Sequence, residues 1–432
     1  MKDLARNLDD VSRRGFISKA ALSLLGVGAL PWLDRLGRTQ EVGTVPLRPD
    51  AKAKNVIYLY MSGGMTHLDT FDLKPGAETQ GPTEGVKTSA DGVLINKFFE
   101  RLAKKMHHVA VVNSLTSNQG AHAQGQYLMH TSYVMRGTVQ HPTMGAWMSL
   151  MMGSRNATLP CHVAIGGGNN GASAGWMESK HGPLPIGNPA GGLQNSGRPS
   201  GVSQEAYDAR LKRANEMNDA FAAKYDHKDV RGYSDMYDQA VRLMASKDLE
   251  AFNLNKEPAE QRDAYGKDAF GQGCLLARRL IEHKVRFVEV QLGGWDTHNQ
   301  NFDAMEQRIP VLDRGIGTLI ADLEQKGLLE ETLVVLATEF GRTPDIKEER
   351  EGRDHYPKAF SGLLAGGGVK GGQKYGKTDA EGKEVADKPV TVPDFNATIA
   401  YALGMHTSHV VNSPAGRPFR VADKGTPITA LF

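Results

Sequence analysis

Val285-Arg286-Phe287-Val288-Glu289-Val290-Gln291-Leu292, running straight into Gly293-Gly294-Trp295-Asp296-Thr297-His298, is the stretch on which the fold turns. Its β-branched and aromatic residues form a strand run, and the glycine pair that follows breaks it. Just before it, Phe270, Cys274, Ala277 and Ile281 are spaced as one face of a helix. After it, Phe302, Met305, Ile309, Leu312, Ile316, Leu319 and Leu323 recur at intervals of 3 and 4, an apolar stripe that needs a sheet to lie on. A helix, a strand, a loop and a second helix in that order form a unit of an α/β fold.

Working outward, similar apolar runs occur at Asn55–Tyr60, Val109–Val112, His162–Ile165, Leu333–Ala337 and Gly362–Ala365, most of them flanked by glycine or polar loops. Fully buried parallel strands read this way. The fold expected is α/β, a central mostly parallel sheet with helices on both faces. A helix opening near His122 should run to about Met135, and Asp394 should N-cap another that runs through Leu403 to Gly404. Residues 166–202 are rich in Gly, Asn, Pro and Ser, and 204–262 are charged and helical. Together, about 166–262, they read as a loop-rich and helical insertion or lid within one domain spanning 46–432.

The 432 residues suffice for one large domain or two ordinary ones, with 40% hydrophobic and 23% charged residues as in core-forming proteins. A net charge of +2 gives no sign of a nucleic-acid or anionic-membrane partner. The 49 glycines imply many tight turns and loops. Cys161 and Cys274 are the 2 cysteines and form no Cys-x-x-Cys, which excludes a zinc-thiolate site. Two buried free thiols are expected, although a single bridge is open to an exported chain.

Residues 1–45 read as a targeting segment and linker. Ser12-Arg13-Arg14-Gly15-Phe16-Ile17-Ser18, then Lys19 and an apolar run from Ala20 to Leu33, follows the twin-arginine export pattern. The run is too short for a comfortable membrane span, and no clean Ala-x-Ala site follows it. The expectations are a periplasmic or exported protein, the twin-arginine translocase as a partner, and no stable membrane span in the mature form.

In open α/β sheets, sites gather at the carboxyl ends of the strands. There the sequence places Ser62-Gly63-Gly64-Met65-Thr66-His67-Leu68-Asp69-Thr70-Phe71-Asp72, then Asp296-Thr297-His298, then Thr338-Glu339-Phe340-Gly341-Arg342, and finally Gly352-Arg353-Asp354-His355. Carboxylates and imidazoles are the ligand types of divalent metals such as zinc, manganese, magnesium or calcium. Asp69, Asp72, Asp296, His298, Glu339, Asp354 and His355 are therefore the candidate ligands. Each alone is also an ordinary turn or surface residue; their recurrence at successive strand ends makes them a site. Ser117 and His122, after the Val109 run and at a helix start, are candidates for a catalytic role. Arg342 or Arg353 would hold an anion.

These blocks, with Leu364-Ala365-Gly366-Gly367-Gly368-Val369-Lys370-Gly371-Gly372, resemble the domain of unknown function 1501 family over roughly residues 45–432. The resemblance implies an exported bacterial protein of the alkaline phosphatase and sulfatase superfamily, with a two-metal site and a nucleophile at a helix start. Against that pattern, Ser62 stands where an aspartate is implied, so Asp69 or Asp72 would substitute. Glu339-Phe340 replaces an Asp-His pair, and His355 fits the final histidine. The nucleophile position is shared between His122, by spacing, and Ser117, by side-chain chemistry.

The function expected is metal-dependent hydrolysis of a sulfate or phosphate ester on a small molecule or glycan. The competing expectation is a catalytically degenerate, metal-stabilised binding or assembly protein on the same fold.

Overall fold

The computed structural model describes residues 46–167, 173–194, 196–225 and 228–432. The twin-arginine segment lies outside the described residues. Among the described residues, nine strands make the central sheet: β1 (Asn55–Met61), β2 (Val109–Thr116), β3 (His162–Ile165), β4 (Leu184–Ile186), β5 (Phe287–Leu292), β6 (Thr332–Ala337), β7 (Phe360–Gly366), β8 (Gln373–Tyr375) and β9 (Val390–Thr391). Their spatial order is β8-β2-β7-β6-β1-β5-β3-β4, with β9 paired to β2. Every pairing is parallel except those of β7, which runs antiparallel to both β2 and β6. The sheet is thus mixed and mostly parallel.

The longer helices among the described residues are α1 (His122–Thr131), α2 (Met144–Met152), α3 (Gln204–Lys224), α4 (Lys228–Met244), α5 (Ala269–Glu282), α6 (Asn301–Gln325) and α7 (Val392–Ala402). Alternation along β1 divides the core. Ile57, Leu59 and Met61 face the cluster built with α5 and α6, and Val56, Tyr58 and Tyr60 face the one built with α1, α2 and α7. The α6 stripe from Met305 to Leu323 is buried as its spacing requires, each full-sized apolar side chain contributing about 1.5–3 kcal/mol.

Three local readings are revised. Helix α1 stops at Thr131 rather than near Met135, because Ser132 turns left-handed at φ 68. The N-cap of α7 is Thr391, and Asp394 is the N3 partner that completes its capping box. Ser117 does not stand at the start of α1, whose N-cap is Ala121 without a side-chain hydrogen bond. The expected charged helical segment is α3 and α4, and α3 has no buried residue. Cys161 and Cys274 are both free and buried. Among the described residues no helix is long and apolar enough to cross a membrane.

Candidate metal centre

Four segments meet above the carboxyl ends of the central strands. The loop after β5 carries Asp296 and His298, the β6 end carries Glu339, the start of α1 carries His122, and a short strand pair brings His355 opposite Arg342. Thr338 fixes the β6 end: its hydroxyl donates to Met61 O (2.8 Å) and accepts from Met65 N (2.9 Å).

Each of three imidazoles has its Nδ1 engaged. His122 Nδ1 lies 2.9 Å from Glu339 Oε1, His298 Nδ1 2.8 Å from Asp354 Oδ1, and His355 Nδ1 2.8 Å from Gly120 O. All three partners are acceptors, so each ring carries a proton on Nδ1, and in its neutral form Nε2 keeps a lone pair for a cation. The three Nε2 atoms converge on Asp296. His298 Nε2 and His355 Nε2 stand 3.2 and 3.5 Å from its Oδ1, and His122 Nε2 stands 3.4 Å from its Oδ2. His122, Asp296 and His355 each bring a donor atom within 4.8 Å of the others, and His298 Nε2 is 3.0 Å from His355 Nε2. His122 Nε2 is buried without a hydrogen-bond partner, an orphan that a bound cation would satisfy. These residues fit a divalent metal.

The electrostatics follow from the partners. Glu339 is 2% exposed; burial pushes its pKa up, and hydrogen bonds from His122, Gly63 N–H and Tyr60 O–H overcome that and hold it below its ordinary value. The same Glu339 bond raises the pKa of His122. Burial also opposes ionisation of Asp296, but Arg342, His122 and His298 bring its pKa down to about 2. Burial and the neighbouring charges of Arg342, His122 and His298 lower His355, keeping it a neutral donor.

The candidates read from sequence separate here. Asp296, His298 and His355 come together, and His122 joins them as a donor in the cluster. Glu339 and Asp354 stand behind His122 and His298 as acceptors. Asp69 is fully buried elsewhere, paired with Arg353 Nε at 2.8 Å and accepting from Thr66, Thr83 and Asn301. Asp72 is taken by Lys74, Asn113 and Thr378. Ser117 Oγ accepts from Gln119 N, and the serine has no contact with the cluster among the described residues.

Arg342 and Arg353 also have other work than holding an external anion. Arg342, 0% exposed, donates to Gly63 O, Gly64 O (2.9 Å), Arg353 O (3.1 Å) and Asp296 Oδ1 (2.5 Å). Arg353 spends its donors on Asp69, Thr79 O, Thr343 O and Pro344 O. Sequence reasoning missed Tyr60, hidden as one more aromatic in a strand, and the Gly63 amide and Gly120 carbonyl, which carry no side-chain signal.

A family model described as "Protein of unknown function (DUF1501)" matches residues 53–432. No curated protein matches the chain. Similar solved structures include the sulfatase PsFucS1 from Pseudoalteromonas sp., at 14% identity over 87% of this chain and 73% of that one, TM-score 0.39. Wild-type alkaline phosphatase PafA shares 11% identity over 90% of this chain and 100% of its own, TM-score 0.42. The lipoteichoic acid synthase LtaP from Listeria monocytogenes shares 10% over 84% and 76%, TM-score 0.39. Likeness at these values says nothing about the site, which stands on the residues above.

Proposed function

This chain belongs to the DUF1501 family, and we propose that its site is a divalent-metal centre that hydrolyses a phosphate or sulfate ester carried by a small molecule or glycan. The observation that supports this is the convergence of the His122, His298 and His355 Nε2 atoms on Asp296, with every Nδ1 already committed. Imidazole nitrogens with one carboxylate suit zinc better than magnesium or calcium, which favour all-oxygen shells.

Two features favour hydrolysis over a structural ion. The His122, Asp296, His298 and His355 side chains keep 35%, 50%, 34% and 26% exposure, so a ligand can reach them, whereas structural sites are closed. Neutral imidazoles and a single carboxylate leave a divalent ion net positive, which attracts an anion. When bound, the ion would supply Lewis acidity and a water of lowered pKa. The chain's own part is orientation. Glu339, Asp354 and the Gly120 carbonyl hold the rings in one tautomer, and Arg342 keeps Asp296 ionised.

The second reading, a metal-stabilised binding protein without turnover, is favoured by one observation: among the described residues no serine, threonine or cysteine side chain is bonded to His122, Asp296, His298 or His355. Metal analysis of the purified chain, with p-nitrophenyl phosphate and p-nitrophenyl sulfate as substrates, separates the two. Bound metal with turnover that His355→Ala abolishes supports the hydrolase. Bound metal without turnover on either ester leaves the binding reading, and absence of bound metal after zinc or manganese loading ends both. We also propose that the chain works outside the cytoplasm, from the Arg13-Arg14 pattern alone.

A further inference from the structure

Arg308 lies on α6, two turns from its N-terminus, and is half-buried. Side chains on a helix lean toward its N-terminal end, which here is the end where the loop carrying Asp296 and His298 enters. Its guanidinium lies flat against Gly294. A Cβ on that glycine would meet Arg308 Cζ and Nε at 2.6 Å and Nη2 at 2.7 Å, and Gly294 has φ +94. The glycine is needed for both reasons. Gly294 is two residues from Asp296, at most about 7 Å along the chain.

What sets Arg308 apart is the absence of a partner. Arg342 and Arg353 are consumed by carboxylates and carbonyls, and Arg350 donates to Asp354 Oδ1 at 2.6 Å. Among the described residues, Arg308 has neither a hydrogen bond nor an ion pair, and the exposed Gly293 and Gly294 beside it donate their amides to nothing within the protein. None of its guanidinium nitrogens is buried, so an anion arriving from solvent can reach them, and the charge has no internal acceptor to give up. The Ser62 hydroxyl, which accepts from Gln291 Nε2 at 2.7 Å, borders the same loop.

We propose that Arg308, cradled on Gly294, is the side chain that binds the oxyanion of this protein's ligand, a phosphate or sulfate group approached by the planar guanidinium fork. The proposal rests on the hydrolase reading for the nature of that group. It assigns the anion contact to a residue outside the conspicuous Arg342 and Arg353.

Inorganic phosphate and sulfate are the probes, used with the full chain both zinc-loaded and chelator-treated. Arg308→Gln should weaken phosphate binding by about tenfold or more, with Arg308→Lys between it and wild type, while bound zinc and melting temperature stay unchanged. Equal phosphate affinity in wild type and Arg308→Gln overturns the proposal. Phenylglyoxal labelling of the unmutated chain tests it without a variant. Arg308 should react while Arg342 and Arg353 do not, and phosphate or sulfate should protect it; labelling of Arg308 indifferent to both anions overturns it. A stronger effect of phosphate than of sulfate, or the reverse, identifies the ester class. Loss of zinc binding with Arg308 still protected defeats the metal reading and leaves this one standing.

Discussion

His298 and His355 face each other Nε2 to Nε2 at 3.0 Å, in rings whose Nδ1 atoms are already bonded to Asp354 and to the Gly120 carbonyl. Two lone pairs at that separation repel, and only a proton or a cation between them removes the repulsion. A tetrahedral ion bound at ~2.0–2.1 Å to each would set the nitrogens about 3.3 Å apart, close to what is found.

His298→Ala and His355→Ala should therefore each lower bound zinc and melting temperature together, since an ion that binds only the folded state stabilises it. The double variant should be little worse than either single one, because they share the loss. Metal content and thermal melts with and without a chelator measure this. Undiminished metal, with independent losses of only ~1 kcal/mol each, would mean that both are loop residues bonded to their neighbours.

Glu339→Gln keeps the shape and removes the charge that fixes His122. Metal affinity should fall roughly 10- to 100-fold, as for other acceptors behind a ligating imidazole. Competition with a chromophoric chelator reads the change, and unchanged affinity would show that Glu339 does not orient His122.

Arg342→Lys should act on stability. The lysine cannot serve the Gly63, Gly64 and Arg353 carbonyls together with Asp296, and buried acceptors left unpaired cost about 1–3 kcal/mol each. Urea unfolding should show a loss of about 3 kcal/mol or more. A variant of full stability that had lost only ester affinity would return Arg342 to the role of anion holder.

How much of this was legible in the sequence depends on what each residue's role requires. The α6 stripe and the apolar runs were readable because burial against a sheet imposes a period. The direction of β7 was not, since an antiparallel core strand and a parallel one have the same apolar run. Asp296, His298 and His355 stand out at strand ends, where α/β sites gather, and the structure brings them together. Glu339 carries the same strand-end signal, and only its neighbours at about 3 Å show it bonded to His122. Asp69, Arg342 and Arg353 looked like site chemistry, but a fully buried charge must first satisfy itself, and the partners that do so lie far away in sequence. Thr391 and Asp394 are both favoured near a helix start, and composition alone cannot order them.

His130, on α1, is buried and sets Nε2 3.1 Å from Glu289 Oε1 on β5. Burial works to lower its pKa, but the Glu289 charge and hydrogen bond raise it above the ordinary 6.5. A histidine with a raised folded-state pKa contributes stability that is complete below about pH 6.5 and fades as the pH climbs through the raised value. Urea unfolding between pH 6 and 9 should show this decline in the wild type and a weaker one in Glu289→Gln. Parallel profiles would remove the pair as its source.

Replacing Arg13 and Arg14 together by lysine should leave the protein in the cytoplasm, because the paired guanidinium groups directly precede Phe16-Ile17. Fractionation of cells expressing the variant tests this. Periplasmic accumulation equal to wild type would refute the export proposal.

The cluster draws its members from positions as distant as His122 and His355, so no short piece of chain holds it and the site exists only after the sheet has closed. If the export and metal proposals both hold and the chain folds before it crosses the membrane, it would acquire its ion from the cytoplasmic pool. Site affinity alone would favour copper over zinc or manganese wherever all are present. The protein would then carry outward the metal supply of its birthplace, with ion identity decided by geography and timing.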